Sequence, residues 1–201
     1  MDELLTRITT HLLLSVAGVA IAAGVGIAVG ICLTRAKAIA APVIAAIEVL
    51  QTVPSLAMLT ILMLIFGLGN TTAVLAIFFY SLLPIVRNTF TGIMTVEPSL
   101  KEAGRGMGMN QMQMLLKVEV PNAIPVIISG LRVSLITAYG IVTIAVLVGG
   151  GGLGKYVIQG TQRQDLYTLL AGAVPICLMA FTTDLWLNRV EKYLAKHRRS
   201  R

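Results

Sequence analysis

Long apolar runs alternate with short polar breaks along this chain. A helix needs about 20 residues to cross a bilayer, and five runs approach or exceed that length. We predict spans over residues 11–34, 54–69, 72–88, 122–148 and 166–187. A polar segment, 89–121, divides the third span from the fourth, and a basic segment, 188–201, follows the fifth. The pattern predicts an all-α membrane protein with about five transmembrane helices in one domain, residues 1–201.

The apolar stretch over residues 38–69 is too long for one simple span. Its first part is interrupted by residues that are unusual in a span: Pro42, Glu48, Gln51 and Pro54. We interpret residues 38–50 as a short interfacial or re-entrant helix, with the second span starting near Pro54.

Small residues recur along the first span. Every fourth position is glycine or alanine at Gly18, Ala22, Gly26 and Gly30. This spacing puts them on one helix face, where a second helix can approach closely.

The composition supports a membrane protein. Hydrophobic residues make up 56% of the chain and charged residues 12%, against about 25% charged in a typical soluble domain. The net charge of +7 could indicate a nucleic-acid partner, but six of the sixteen basic residues lie in 189–201 and most others flank apolar runs. This distribution is typical of topological charge. We therefore expect the lipid bilayer, and no nucleic acid, as a partner.

The same charges predict an orientation. The last segment carries six bases against one acid, Glu191, on the side that also holds Arg35, Lys37 and the central polar segment. Bases and acids balance on the opposite side. The positive-inside rule then places the C-terminus in the cytoplasm and the N-terminus outside.

The central segment holds two helix-start signals. Ser99 followed by Glu102, and Asn110 followed by Gln113, both have the spacing of a capping box. Between them lie three glycines that weaken or end the first helix: Gly104, Gly106 and Gly108. We predict two short helices, the second over residues 111–118.

The surface of this segment is neutral and rich in methionine. Three bases are balanced by three acids, although a loop that only anchored topology would be basic. The methionines are Met107, Met109, Met112 and Met114. Their flexible side chains suit a partner groove; packing against the ends of the spans is the alternative.

The spacing of this segment resembles the EAA motif of permease subunits of ABC importers. That motif runs Glu-Ala-Ala, three residues, Gly, nine residues, Ile-x-Leu-Pro. Here Glu102-Ala103-Gly104, three residues, Gly108 and nine residues precede Val118-Glu119-Val120-Pro121. The chain departs from the motif at Gly104, Val118 and Val120, each by a mild change.

Further stretches resemble the permeases of glycine betaine, carnitine and choline importers. They are QTVPSLAML, YSLLPIVRNTFTGI, EAGRGMGM and GGGGLG. The resemblance implies a type I importer fold and a pair of permease subunits, identical or sister chains. It implies an extracellular binding protein and a cytoplasmic ATPase dimer. Coupling to the ATPase would fall to Glu102, Ala103, Gly104, Gly108 and Pro121. For Glu102, simple helix capping is the alternative.

Features of an enzyme are missing from the sequence. Neither glycine-rich stretch continues into the Lys-Ser/Thr pair of a phosphate loop. His11 and His197 lie at opposite ends, and no nucleophile is paired with a base. We expect no catalytic residue, metal site or cofactor in this chain, with ATP and Mg²⁺ bound by the partner ATPase.

The transported compound is weakly encoded. A quaternary ammonium is best held by several aromatic faces, and the sequence assembles no such cage. Tyr80, Arg87 and Tyr139 are candidates to line the substrate path; ordinary packing is the alternative. Arg132 can snorkel or pair with an acid, and Asp184 can do likewise.

Three functions remain open at this point. The first is the permease of an osmoprotectant importer for glycine betaine, carnitine, choline or proline. The second is an ABC importer permease for an amino acid such as methionine or for a betaine-like compound. The third is a channel or scaffold without an ATPase. The neutral central segment with EAA spacing disfavours it.

Overall fold

The computed structural model describes residues 2–199, with side chains over residues 2–196. That part of the chain is helical and contains no strand, which confirms the predicted all-α fold. Nine α-helices follow one another: α1 (Asp2–Arg35), α2 (Lys37–Thr52), α3 (Ser55–Phe66), α4 (Asn70–Met94), α5 (Pro98–Gly106), α6 (Gln111–Met114), α7 (Val120–Ala145), α8 (Gly154–Arg163) and α9 (Leu166–Arg199).

Four helices in the described part are long and apolar enough to cross a membrane. They are α1, α4, a continuous helix over Gln111–Val148 that contains α6 and α7, and α9. The pair α2 and α3 passes the same test together but is bent by 93°. Residues 2–199 therefore contain four candidate membrane-spanning helices, or five if this bent pair is one span.

The bend corrects the predicted second span, residues 54–69. Val53 and Pro54 are both extended, with ψ of 126° and 136°. At Val53 the cause is the following proline, which drives the residue before it out of the helical region. α3 has 12 residues and is therefore about 18 Å long, against about 30 Å for the hydrocarbon layer. α3 cannot be a complete span, whereas the short helix predicted at residues 38–50 is present as α2.

The small-residue face of α1 packs on α4, as predicted. A methyl group at Gly18 would lie 2.5 Å from Cγ2 of Ile77, and one at Gly30 would lie 2.6 Å from Cβ of Thr89. Such distances leave no room for a side chain. Gly24, on another face of α1, has no heavy atom within 4 Å of its Cβ position. The glycines that allow the close contact are therefore those on the face of α1 that meets α4, and Gly24 plays no part in it.

The central segment is shorter than the predicted 89–121. Residues 89–94 complete α4, and residues 111–121 begin the long helix Gln111–Val148. Pro121 was expected to end the loop, and residues 111–118 to be a separate helix. Instead a π-helical turn over Leu115–Glu119 leads directly into α7. A π turn shifts the backbone hydrogen bonds by one residue, so the helix can accommodate a proline without an N–H at the start of α7.

The C-terminal segment is also helical. α9 continues past residue 187, where the fifth span was predicted to end, to Arg199. The first part of the predicted basic tail is therefore a helical extension, while Ser200 and Arg201 lie outside the described residues.

Candidate functional site

The short helix α5 forms the first arm of an elbow between α4 and the long helix. It starts at Pro98, and the preceding Glu97 makes no capping hydrogen bond with its side chain. The predicted Ser99–Glu102 capping box is wrong. Proline at the first helical position already has the required φ and lacks an N–H that would need a cap, so the helix starts before Ser99 can act as the cap.

The end of α5 is a Schellman motif around Gly108. The N–H of Gly108 donates to the Arg105 carbonyl (2.9 Å), and the N–H of Met109 donates to the Gly104 carbonyl (3.1 Å). Gly108 has φ of +74°, a left-handed conformation that only glycine adopts without strain. The glycine of the EAA spacing is therefore a fixed helix stop.

The second arm starts at a capping box, as predicted. The N–H of Gln113 donates to Oδ1 of Asn110 (2.9 Å), and the N–H of Asn110 donates to Oε1 of Gln113 (3.0 Å). The two reciprocal hydrogen bonds fix the direction in which the long helix leaves the elbow.

Gly104 joins the two arms. It is buried, and a methyl group there would lie 2.7 Å from Cε of Met114. The glycine that departs from the EAA pattern thus makes room for this methionine. Glu102 and Ala103 on the same helix are exposed, and in the described part of the chain the Glu102 carboxylate has neither an ion pair nor a hydrogen bond.

The four methionines divide into two pairs. Met107 is 70% exposed and Met112 is 63% exposed, whereas Met114 is buried and Met109 is half-buried. Met109 and Met114 therefore pack within the elbow, beside Gly104. Met107 and Met112 remain exposed, and their contact with a partner stays a prediction.

An ion-pair hub ties the elbow to the helix bundle. Glu119, 5% exposed, has Oε2 2.6 Å from Nη2 of Arg35 and Oε1 3.8 Å from Nζ of Lys101. Lys101 also donates to the Ile93 carbonyl (3.2 Å). These contacts connect α1, α4, α5 and the π turn around a cavity of about 400 Å³. Sequence reasoning missed the hub; the one available signal was an acid inside the otherwise apolar stretch VEV.

Two adjoining cavities between the α2–α3 bend, α4 and α7 form a second candidate site, here called the cleft. Their volumes are about 480 Å³ and 310 Å³. Both are lined by Gln51, Tyr80 and Thr137, and the smaller one also by Arg87 and Asn88. Apolar residues such as Leu83, Val133 and Ile141 line much of the rest of the cleft. The cleft therefore combines an apolar surface with a group of polar side chains that can bind a charged solute.

Hydrogen bonds hold the cleft wall at the α2–α3 bend. Gln51 Nε2 donates to the Tyr80 carbonyl (2.6 Å), and the Tyr80 hydroxyl donates to the Val53 carbonyl. Arg87 forms an ion pair with Glu48 of α2. Tyr80 and Arg87, two of the predicted path residues, are thus brought together.

The third predicted path residue, Tyr139, lies elsewhere. It is 2% exposed and absent from the lining of the cleft. Its hydroxyl is 2.9 Å from Oγ1 of Thr183, which joins α7 to α9. Ordinary packing, the alternative raised by the sequence, describes its surroundings.

Arg132 and Asp184 form the predicted kind of contact. Arg132 Nε lies 3.8 Å from Oδ1 of Asp184, and its Nη2 lies 3.6 Å from Oε2 of Glu191. This cluster links α7 to α9, outside the lining of the cleft.

The opposite end of the bundle has its own linkages. His11, fully buried, accepts from the Leu153 N–H at Nδ1 (3.3 Å) and therefore donates from Nε2 to the Tyr139 carbonyl (3.1 Å). The Gly151 N–H donates to Oδ1 of Asn70 (2.8 Å). The N-terminus, the start of α4 and the glycine-rich turn thus meet at one end, away from the elbow.

Asp165 begins α9 at that same end. Its carboxylate accepts hydrogen bonds from the Thr168 hydroxyl and from the Tyr167 N–H (3.0 Å). The hydrogen bonds from Thr168, with smaller contributions from Tyr167 and Arg163, lower the pKa of Asp165.

A helical membrane bundle with a cleft between its helices and a neutral two-armed elbow at one end is the arrangement expected of a permease of the ABC importer class. The chain belongs to the family described as the binding-protein-dependent transport system inner membrane component, whose model matches residues 20–196. The predicted membership of the ABC importer permease family is thereby confirmed.

Curated relatives cover most of the chain. A glycine betaine/carnitine/choline transport system permease protein of Bacillus subtilis is 46% identical over 186 residues, which are 92% of this chain and 81% of the relative. A carnitine transport permease protein of Listeria monocytogenes is 45% identical, with 92% and 83% covered. An osmoprotectant import permease protein of Salmonella typhimurium is 41% identical, with 92% and 88% covered.

Solved structures share the fold at lower identity. An inward-facing structure of the MetNI methionine ABC transporter matches with a TM-score of 0.84 and 22% identity, over 96% of this chain and 97% of that chain. An amino acid ABC transporter matches with a TM-score of 0.72 and 21% identity, over 96% and 93%. These likenesses concern the fold alone.

Proposed function

We propose that this chain is the permease subunit of an ATP-driven bacterial importer for quaternary ammonium osmoprotectants such as glycine betaine, carnitine or choline. Two permease subunits, identical or sister chains, would enclose the path. A binding protein would deliver the solute from outside, and a cytoplasmic ATPase dimer would bind ATP and Mg²⁺. The chain itself is the non-catalytic part. Relatives named for these solutes, at 40–46% identity, support the solute class over an amino acid.

The elbow is the observation that carries the coupling role. α5 is stopped by Gly108, clamped to the long helix by Gly104 and Met114, and tied to α1 through Glu119. A short helix held at three points can pass a rigid-body movement to the bundle. Exposed Glu102, Met107 and Met112 give it a face for a partner.

Reconstitution tests the function. The permease, co-purified with its ATPase and binding protein, should accumulate labelled glycine betaine, carnitine or choline in proteoliposomes only when ATP is present on the elbow side. The isolated binding protein should bind the same compound. Uptake of methionine with none of the three would favour the amino-acid alternative, and ATP-independent uptake would favour a channel.

Charge reversal tests the coupling face. Glu102→Lys should abolish uptake while the protein stays in the membrane. Glu97→Lys is the matched control because Glu97 is an exposed acid immediately before α5, outside the EAA match. Normal uptake and ATPase coupling in Glu102→Lys would refute the assignment.

Orientation needs a separate measurement. A tag after residue 201 should be protected from external protease in whole cells, and a tag before residue 1 should be cleaved. The reverse pattern would overturn the proposed topology.

A further inference from the structure

Arg87 lines the cleft and forms an ion pair with Glu48, which lies behind it on α2 and outside the lining of both cavities. Arg87 lies in α4, two turns before that helix ends at Met94, and it lines the smaller cavity. Glu48 approaches it from α2. Tyr80 is the aromatic residue in the lining of that cavity.

The pair is too exposed to act as a structural clamp. The side chains of Arg87 and Glu48 are 57% and 39% exposed, whereas the elbow hub has one open side chain, Arg35 at 43%, and one closed, Glu119 at 7%. Ion pairs this open contribute little to stability, about 0–1 kcal/mol. Arg87 nevertheless lies in α4, a helix long and apolar enough to cross a membrane, and charged residues in such helices are kept mainly for function.

The chemistry of the pair matches both ends of a zwitterion. A guanidinium can donate two parallel hydrogen bonds to a carboxylate. A quaternary ammonium has no N–H, so it is recognised by negative charge and by aromatic faces; Glu48 and Tyr80 offer both. When the ion pair opens, Arg87 can bind the negative end of the solute and Glu48 its positive end. Neither side chain is then left with an unpaired charge.

We propose that Arg87 and Glu48 select the solute in the cleft by its charge. Arg87 binds the carboxylate of a zwitterion, and Glu48 binds the quaternary ammonium. This inference rests on the proposed function and adds a second point of selection after the binding protein. Zwitterions such as glycine betaine would need both residues, whereas a cation such as choline would need Glu48 alone.

The test compares Glu48→Gln, Arg87→Gln and the double variant in the reconstituted importer, with KM and Vmax measured for glycine betaine and choline. Asp184→Asn is the matched control, since it removes an acid from an interhelical ion pair outside the cleft while Arg132 keeps Glu191. Thermal unfolding of each variant is measured in parallel.

Arg87→Gln should lower Vmax for glycine betaine at least about fivefold relative to choline, because a charged hydrogen-bond partner is lost. KM, which capture by the binding protein sets, should not change. Glu48→Gln should lower Vmax for both solutes. The double variant, which leaves no unpaired charge, should keep wild-type thermal stability without recovering glycine betaine transport.

Equal losses for both solutes in Arg87→Gln, or recovery of transport in the double variant, would overturn the inference and leave a structural pair. If the wild type carries only one of the two solutes, the double variant decides alone: continued loss supports the inference and recovery refutes it. A wild-type importer that carries neither solute would refute the proposed function, and this inference with it.

Discussion

Replacing Gly108 with alanine isolates one backbone angle in the elbow. Gly108 has φ of +74°, and no heavy atom lies within 4 Å of the position where its Cβ would be. The substitution therefore causes no collision. Its cost is the left-handed conformation itself, about 1–2 kcal/mol for an L-residue.

That cost is large for so short an element. α5 has nine residues, and isolated helices below about 12–15 residues are marginal in water. A loss of 1–2 kcal/mol corresponds to a factor of about 5–30 in the population of the capped helix. We expect affinity for the partner ATPase to fall by a similar factor, and ATP-driven uptake to fall with it.

Two further variants make the reasoning specific. Asparagine tolerates the left-handed region better than alanine, so Gly108→Asn should lose less. Gly106→Ala is the matched control: Gly106 is helical with nothing within 4 Å of its Cβ position, and alanine there should be neutral or stabilising by about 0.5–1 kcal/mol. The measurements are ATPase affinity in detergent and uptake in proteoliposomes. Equal losses in Gly106→Ala and Gly108→Ala, or none in Gly108→Ala, would refute the argument.

Three other predictions concern stability, each measured by thermal unfolding of the purified permease. Gly18→Val should destabilise the α1–α4 contact by about 1–3 kcal/mol through overpacking, whereas Gly24→Val should have little effect because its Cβ position is open. Glu119→Gln should cost about 1–3 kcal/mol, since a buried carboxylate loses its charge-assisted hydrogen bond with Arg35, which is itself 43% exposed; the exposed Glu102→Gln should cost nothing measurable. The pKa of Asp165 is lowered from its ordinary value of 3.8 by its hydrogen bonds. These bonds therefore stabilise the start of α9 fully at pH values above 3.8, and this stabilisation is lost as the pH falls through the lowered pKa. Asp165→Asn should abolish that acid-dependent loss.

Local patterns predicted the membrane class, the small-residue face of α1 and the Asn110 cap. Each depends on residues close together in the sequence. The membrane class follows from the length of the apolar runs, the small-residue face from the helical period, and the Asn110 cap from one reciprocal pair of hydrogen bonds. The EAA spacing likewise located the elbow, because motif and elbow lie within about 20 residues of sequence. The cap at Ser99 failed at this same scale: two valid signals competed, and proline at the first helical position prevailed.

The continuity of the long helix and the two ion-pair sites were decided by tertiary structure. The sequence predicts that the polar segment 89–121 ends at Pro121. Instead, a π turn over Leu115–Glu119 allows the helix to continue past Pro121 into α7. Arg35 and Glu119 are 84 residues apart, and Glu48 and Arg87 are 39 apart. Sequence alone determined that the chain is a helical membrane protein and where the elbow lies, but not that the second apolar stretch is divided by a 93° bend. Which charges meet depended on how the helices pack, since helical periodicity gives the face of each residue but not the neighbour that the face will contact.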